Sequence, residues 1–185
     1  ERIEAHLDGL RIAVDVGWDC CKAGLSQHEP GEVFTAGVLA FESGDENRVN
    51  EVLALGGTSV ELSRGLISAL GWTSLQQASP HIDRLLAEES PVRRRIGIAA
   101  SAVHRQDPGA ALQEALSSGD LSLKAQSLKV VGELCRNDLL PLAKANLNNE
   151  DATCRFWAAW SGALLGEPSA ISVVQLIAEQ GGEQA

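Results

Sequence analysis

The four cysteines are the most reactive side chains of this 185-residue chain. Cys20 and Cys21 are adjacent. Cys135 and Cys154 stand far apart, and no CxxC pair or disulfide framework occurs. Because adjacent residues on a helix point about 100° apart, the vicinal pair is poorly placed to share a ligand, and a redox or metal element there is the less favoured alternative. We expect structural thiols in a reducing, cytoplasmic compartment.

The histidines offer the other candidates for chemistry. They are His6, His28, His81 and His104. None occurs as HxxxH or at ligand spacing from a cysteine, so we predict no metal site. His104 and Asp107 could act as a proton carrier and its orienting group, but no nucleophile or second carboxylate accompanies them. We interpret Asp107 as the N-cap of a helix that starts at Pro108, and we predict no catalytic residue and no cofactor.

The acidic composition limits the class of partner. A net charge of −10 and a pI near 4.8 argue against nucleic acid or an anionic membrane, since both are polyanions. No apolar run approaches the ~20 residues that cross a bilayer, so the sequence predicts a soluble protein. Because position 1 is Glu1 and not an initiator Met, and helical periodicity is already under way there, we expect the chain to be processed or to be part of a longer protein.

A repeat of 30 to 31 residues organises the chain. Each of four units carries one basic residue and, 22 or 23 residues later, one aliphatic residue. The basic set is Arg64, Arg94, Lys124 and Arg155. The aliphatic set is Leu86, Leu116, Leu147 and Ile177. A fixed period of this length is typical of stacked units that share one core.

Each unit is predicted to contain two helices. The helices that carry the basic residues begin at good N-caps, which are Ser59, Ser90, Asp120 and Asp151. Prolines lie at or near the first position of the partner helices, at Pro80, Pro108 and Pro168. No segment alternates like a strand. We predict an all-α, right-handed superhelix in one domain over residues 1–180, whose five helix pairs span residues 30–56, 58–88, 90–118, 120–148 and 151–180.

The two ends of the chain depart from the repeat. Residues 1–26 have apolar residues at the three-and-four spacing of one long amphipathic helix. They are Ile3, Leu7, Leu10, Val14, Trp18, Cys21 and Leu25. We expect this helix to cap the stack, because the end of a solenoid leaves an apolar face uncovered. Residues 181–185 are predicted to be a flexible tail.

A helix that opens with D-x-x-x-R and continues with small residues to a Leu-Gly end resembles the HEAT-like repeats of bilin lyases. Asp151 and Arg155 carry this pattern, and Asp120 with Lys124 is a variant of it. Segments 64–72, 104–109 and 155–166 also resemble a bacterial HEAT-repeat family without an established activity. The resemblance covers most of the chain and implies a HEAT-like solenoid, with an association with bacterial secretion systems. It transfers no functional residue.

The basic ladder has two interpretations. Its members, Arg64, Arg94, Lys124 and Arg155, could bind a ligand as a row of cations. We favour a structural ladder, in which each base bonds to its own unit or an adjacent loop, as Asp120 and Asp151 could allow.

The predicted partner-binding residues are Arg93, Arg95, Lys129, Trp157 and Trp160. Three consecutive arginines point around more than half of a helix, so at least one of them should reach solvent. Arg and Trp are enriched where binding energy concentrates, and a local cationic stripe suits a protein partner with an acidic segment. The resemblance implies that these helices line the concave side. Alternatively, Phe156 or Trp160 packs inward while Trp157 caps an end groove, or both tryptophans are buried against the C-terminal helix and the arginines are ordinary solvated surface.

We therefore expect a scaffold or adaptor for protein–protein interaction, not an enzyme. The alternative is a bilin-lyase-like or other small-ligand-binding protein with a pocket in the solenoid groove. A closed apolar pocket with converging polar groups would favour that alternative, whereas an open charged face would favour the scaffold.

Overall fold

The computed structural model describes residues 2–182, with side chains described for residues 2–179. Twelve α-helices and two short 3₁₀ turns make up most of this part of the chain, which contains no β-strand. The predictions of an all-α fold and of at least ten helices are thus confirmed for these residues. The chain forms two compact units, an N-terminal unit of residues 1–85 and a C-terminal unit of residues 86–185.

The N-terminal unit is built around its third helix. Its helices are α1 (Arg2–Ile12), α2 (Val14–Gly24), α3 (Pro30–Ser43), α4 (Glu46–Gly56), α5 (Val60–Trp72) and α6 (Leu75–Ala87), with a 3₁₀ turn at Leu25–Gln27 and the unit boundary in the last turn of α6. Helix α3 packs against α1, α2, α4 and α5. It buries Val33, Val38 and Phe41, and the Phe41 ring lies 5.1 Å from the His81 ring.

The C-terminal unit is built around α9. Its helices are α7 (Pro91–Val103), α8 (Ala110–Leu116), α9 (Leu121–Glu133), α10 (Leu140–Ala145), α11 (Ala152–Leu164) and α12 (Pro168–Gly182), with a 3₁₀ turn at Asn137–Leu139. Helix α9 packs against α7, α8 and α11, and α11 packs against α12. Their shared core includes Leu112, Leu123, Leu128, Val130, Cys154, Ala158 and Ala170.

The helices begin and end close to the bounds predicted for the five pairs, at α3/α4, α5/α6, α7/α8, α9/α10 and α11/α12, while the pairing itself stays a prediction. Capping explains the agreement in three of the helices that carry basic residues. Ser59, Asp120 and Asp151 accept hydrogen bonds from backbone amides three residues ahead, at 2.7 to 3.1 Å. Ser90 precedes α7 without a side-chain cap bond. The single solenoid domain over residues 1–180 stays a prediction.

The predicted long N-terminal helix is wrong, because the chain turns between α1 and α2. Val14 has φ of +50°, which ends the regular helix. Gly17 then lies so close to α1 that an added Cβ would be 2.1 Å from the carbonyl oxygen of Leu10. The apolar spacing is real, but tertiary packing overrides it.

Two of the predicted helix starts are also wrong. Pro80 lies inside α6, which begins at Leu75. Asp107 does not cap α8, because its carboxylate accepts from the Gly109 amide at 2.9 Å and the helix begins only at Ala110. Gly109 has φ of +60°, a conformation that glycine adopts without strain, so the chain makes one more turn before the helix starts.

At the other end, α12 extends to Gly182, into the predicted flexible tail. Residues 183–185 of that tail lie outside the described residues.

Helices α9 and α11 approach each other closely at Gly132. A Cβ at this position would lie 2.6 to 2.9 Å from three atoms of Ser161, including its backbone Cα. We expect Gly132→Ala to lower the free energy of unfolding by roughly 1–3 kcal/mol, although alanine is the better helix former. Urea unfolding measures this. Gly9→Ala, in α1 with no atom within 4 Å of the added Cβ, is the control and should not destabilise. Equal effects of the two substitutions would contradict close packing at Gly132.

Candidate partner-binding surface

Four side chains from α9 and α11 form what we call the aromatic cluster: Lys129, Phe156, Trp157 and Trp160. Trp157 is at its centre. Its ring lies edge-to-face with Phe156, at 4.9 Å and 72° between planes, and with Trp160, at 5.4 Å and 84°. The ammonium of Lys129 lies 5.2 Å from the Trp157 ring centroid, within the range of a cation–π interaction. All four side chains are half-buried.

The packing of α11 on α9 determines which side chains remain accessible. Cys154, Ala158 and Ser161 recur at helical spacing and are buried toward the core. The Ser161 hydroxyl donates to the Leu128 carbonyl at 2.6 Å and accepts from the Gly132 amide at 3.2 Å. These bonds fix α11 beside the turn of α9 that carries Lys129. The aromatic residues lie off this buried face, and Trp157 alone of the three packs against the core.

Lys129 has two partners. Besides the Trp157 ring, its ammonium contacts the carboxylate of Glu133, one turn later on α9, at 3.4 Å. The Lys129 side chain is 34% exposed and that of Glu133 is 29% exposed. Partly exposed ion pairs of this kind stabilise a protein by only ~0.3–0.5 kcal/mol, so the cation can exchange Glu133 for another carboxylate at little cost.

The two predicted arginines lie elsewhere. Arg93 is half-buried and pairs with Glu88 at 3.2 Å. Arg95 is buried, at 7% exposure, so it does not present the surface cation that the sequence predicted. Three consecutive arginines spread over about 200° of a helix, and of the three it is Arg95 that lies toward the core. The structure thus brings together three of the five predicted residues, namely Lys129, Trp157 and Trp160.

The basic ladder does not share one arrangement. Arg64 is exposed and has no hydrogen bond or ion pair with a described residue. Arg94 pairs with Glu114 at 3.0 Å, while its Nε is buried without a hydrogen-bond partner.

The two later members of the ladder also differ from each other. Lys124 makes no ion pair with Asp120, whose carboxylate caps α9 at Leu123. Arg155 donates to the carbonyl of Asn149 at 2.6 Å and to that of Glu150 at 3.3 Å, in the loop that precedes its helix. Equivalent sequence positions therefore make different local contacts.

The Asp151 cap gives stability a defined pH dependence. The amide of Cys154 is the largest cause that lowers the pKa of the Asp151 carboxyl, with a smaller contribution from Arg155. Because the pKa is lower in the folded state, the stabilisation is complete above the unfolded pKa and is lost as pH falls through the folded pKa. We expect Asp151→Ala to lower the Tm by about 2–4 °C at neutral pH.

The same substitution should change the Tm less at a pH below the ordinary range of an aspartate, as thermal melts across pH would measure. Asp151→Asn is the matched control, since asparagine can still cap but does not titrate. A Tm difference between wild type and Asp151→Ala that stays constant down to acid pH would contradict this account.

The remaining polar candidates are tied into local structure. His104 ends α7, with its amide bonded to the Ala100 carbonyl. Asp107 forms an ion pair with Arg136, which also binds Asp138 at 2.7 Å. No signal in the sequence singles out Arg136, which links Asp107 in the loop before α8 to Asp138. Among the described residues, no three His, Cys, Asp or Glu side chains converge as a metal site requires.

The cysteines are free thiols, with Cys21 and Cys154 buried and Cys20 and Cys135 exposed. Burial raises the pKa of Cys21, and burial together with Asp151 raises the pKa of Cys154 to about 11. Cys20 and Cys21 line an open pocket of about 190 Å³ in the N-terminal unit, together with Leu10, Gly24, Gly31, Glu32 and Thr35.

In comparisons with protein-family models, with curated proteins and with solved structures, nothing matches this chain. The resemblance to HEAT-like repeats thus stays a prediction. Within residues 2–182, every helix is too short or too polar to cross a bilayer.

Proposed function

We propose that this protein is a scaffold or adaptor that binds another protein through the aromatic cluster. The observation that carries the proposal is the contact of two half-buried rings and one lysine with the central Trp157 ring, on two neighbouring helices. Trp is among the residue types that contribute most to binding energy, and rings held against each other lose little entropy on binding. The proposal includes no catalytic step.

We further propose that the helix pairs stack as a HEAT-like solenoid. Support comes from packing between the first helices of consecutive pairs. Within the C-terminal unit, α7 contacts α9 and α9 contacts α11. Consecutive units of a solenoid contact each other in this way, and their equivalent positions form a continuous surface. The resemblance would have the helices that carry the basic residues line the concave side, and it suggests a role in a bacterial secretion system, in the cytoplasm.

An acidic, partly apolar segment is the partner chemistry that we propose. The N-terminal unit carries 6 basic and 13 acidic residues, a net charge of −7, whereas the C-terminal unit carries 9 and 12, a net charge of −3. An acidic segment is repelled less by the C-terminal unit. There, Lys129 can pair with its carboxylates while the rings contact its apolar side chains.

The alternative, a small-ligand-binding protein, has weaker support. The pocket beside Cys20 and Cys21 is open, and its volume of about 190 Å³ is below the roughly 300–1,000 Å³ of most ligand sites. The residues that line this pocket also lie outside the helices that carry the basic residues of the repeat.

The test is affinity capture with the tagged full-length protein from its own host, followed by measurement of the Kd with each purified candidate partner. We expect Lys129→Glu and Trp160→Ala each to weaken binding about tenfold or more, by repelling an acidic segment and by removing a contact ring. Arg155→Ala is the control on α11, because the hydrogen bonds that Arg155 makes with described residues go to the loop before its own helix. It should lower the Tm and leave the Kd unchanged. A partner whose Kd is altered by Arg155→Ala alone would contradict the proposed site.

A further inference from the structure

The turn between α1 and α2 places a β-branched residue in a strained conformation. Val14 has φ of +50°, in the left-handed region that glycine and asparagine normally occupy. No glycine or proline stands at residues 12–14, where the chain turns. Ile12, Val14 and Val16 are exposed there, at 81%, 64% and 66%. The turn therefore combines backbone strain with uncovered apolar side chains.

The local sequence favours a continuous helix through this turn. Leu10, Val14 and Trp18 follow at four-residue spacing, as one face of a helix requires. In the structure the regular hydrogen bonds stop where the Ala13 amide donates to Gly9, and they resume where the Val16 amide donates to Ala13. A straight helix would restore the missing bonds and return Val14 to an ordinary conformation.

Contacts with the rest of the N-terminal unit hold α1 in place. The Arg11 guanidinium donates two hydrogen bonds to Glu42 on α3, at 2.7 and 2.8 Å. Trp72 on α5 donates to Glu4 at 2.8 Å, and Leu7 is buried at 2% exposure. None of these contacts requires that α1 and the surface that receives it belong to the same molecule.

We propose that α1 is exchanged between two copies of this chain. The turn opens, α1 and α2 become one helix, and each α1 packs on α3 and α5 of the other copy. Short, strained hinges favour such an exchange, because the contacts are remade while the strain is removed. Two-fold symmetry brings the two hinges together, so Ile12 and Val16 gain apolar partners. The inference is independent of the aromatic cluster.

Glycine substitutions test the hinge. Gly17→Ala adds a Cβ that meets the Leu10 carbonyl in the turned form but is unhindered in a straight helix. We expect it to lower the dimer dissociation constant about tenfold or more, measured by light scattering or sedimentation from micromolar to millimolar concentration. Val14→Gly, which relieves the strain of the turn, should have the opposite effect. Gly9→Ala is the control: it favours helix equally but meets no atom within 4 Å, so it should not change the constant.

Complementary charge reversal shows which copy supplies α1. Arg11→Glu and Glu42→Arg each break the pair between α1 and α3 within one molecule. When the two variants are mixed, an exchanged dimer restores both pairs, so we expect a heterodimer at concentrations where each variant alone is monomeric. Mixtures that stay monomeric, or a folded Gly17→Ala protein that dimerises no better than Gly9→Ala, would overturn the proposal. A heterodimer that persists when both variants also lack residues 2–12 would overturn it as well, because no α1 is then left to exchange and such a dimer forms through another surface.

Discussion

Replacing Trp157 by alanine is expected to lower the free energy of unfolding of the C-terminal unit by about 3 kcal/mol and to abolish partner capture. Trp157 packs against the core, forms edge-to-face contacts with two rings and lies beneath the Lys129 ammonium. Its removal opens a cavity and releases the other members of the aromatic cluster. Urea unfolding measures the first effect, and the Kd with the captured partner measures the second.

Trp160→Ala separates the two effects. Trp160 contacts Trp157 at the edge of the aromatic cluster, so its loss should cost only about 1 kcal/mol of stability while it weakens binding strongly. If Trp157→Ala destabilises the protein but Trp160→Ala leaves the Kd unchanged, the cluster is a structural feature of the α9–α11 contact and the proposed function is wrong.

Replacing Phe41 by alanine is expected to lower the free energy of unfolding of the N-terminal unit by about 3–5 kcal/mol. Phe41 is among the largest fully buried side chains of the protein, at 2% exposure. Because α3 packs against four other helices, the resulting cavity cannot be filled by moving one of them. Chemical unfolding followed by circular dichroism measures the loss.

Phe34→Ala is the matched control on the same helix. Phe34 is half-buried, with its ring edge-to-face with Trp72 at 5.7 Å, and should cost about half as much. Equal losses for the two phenylalanines would mean that the core of this unit is not centred on Phe41.

The parts of the fold that could be predicted from the sequence are those with a local sequence signal. The helix pairs follow from the 30-residue period, and three helix starts follow from the caps Ser59, Asp120 and Asp151. The turn at Val14 has no such signal, because the apolar spacing continues through it. The turn depends on the approach of Gly17 to α1, which is a contact between helices and not a local pattern in the sequence.

The candidate site, too, could be predicted only in part. Residue type alone singled out Lys129, Trp157 and Trp160, but their contact depends on how α9 and α11 are aligned, which no local pattern encodes. The sequence marks Phe156 only as part of an aromatic run and does not single out Glu133, although the i,i+4 spacing of Glu133 from Lys129 is a usable signal. The burial of Arg95 could not be predicted, because any of three consecutive arginines could face inward.

The Ser161 hydroxyl stands between two backbone groups that are partners in a regular helix, the Gly132 amide and the Leu128 carbonyl. A side chain that bonds to two backbone groups of a neighbouring helix links the two helices directly. The last turn of α9, which carries Lys129 and Glu133, is thus held by the Ser161 side chain of α11. A partner that binds the rings of α11 and displaces that helix would therefore weaken the two Ser161 bonds first. The exchange rate of the Gly132 amide would measure this weakening.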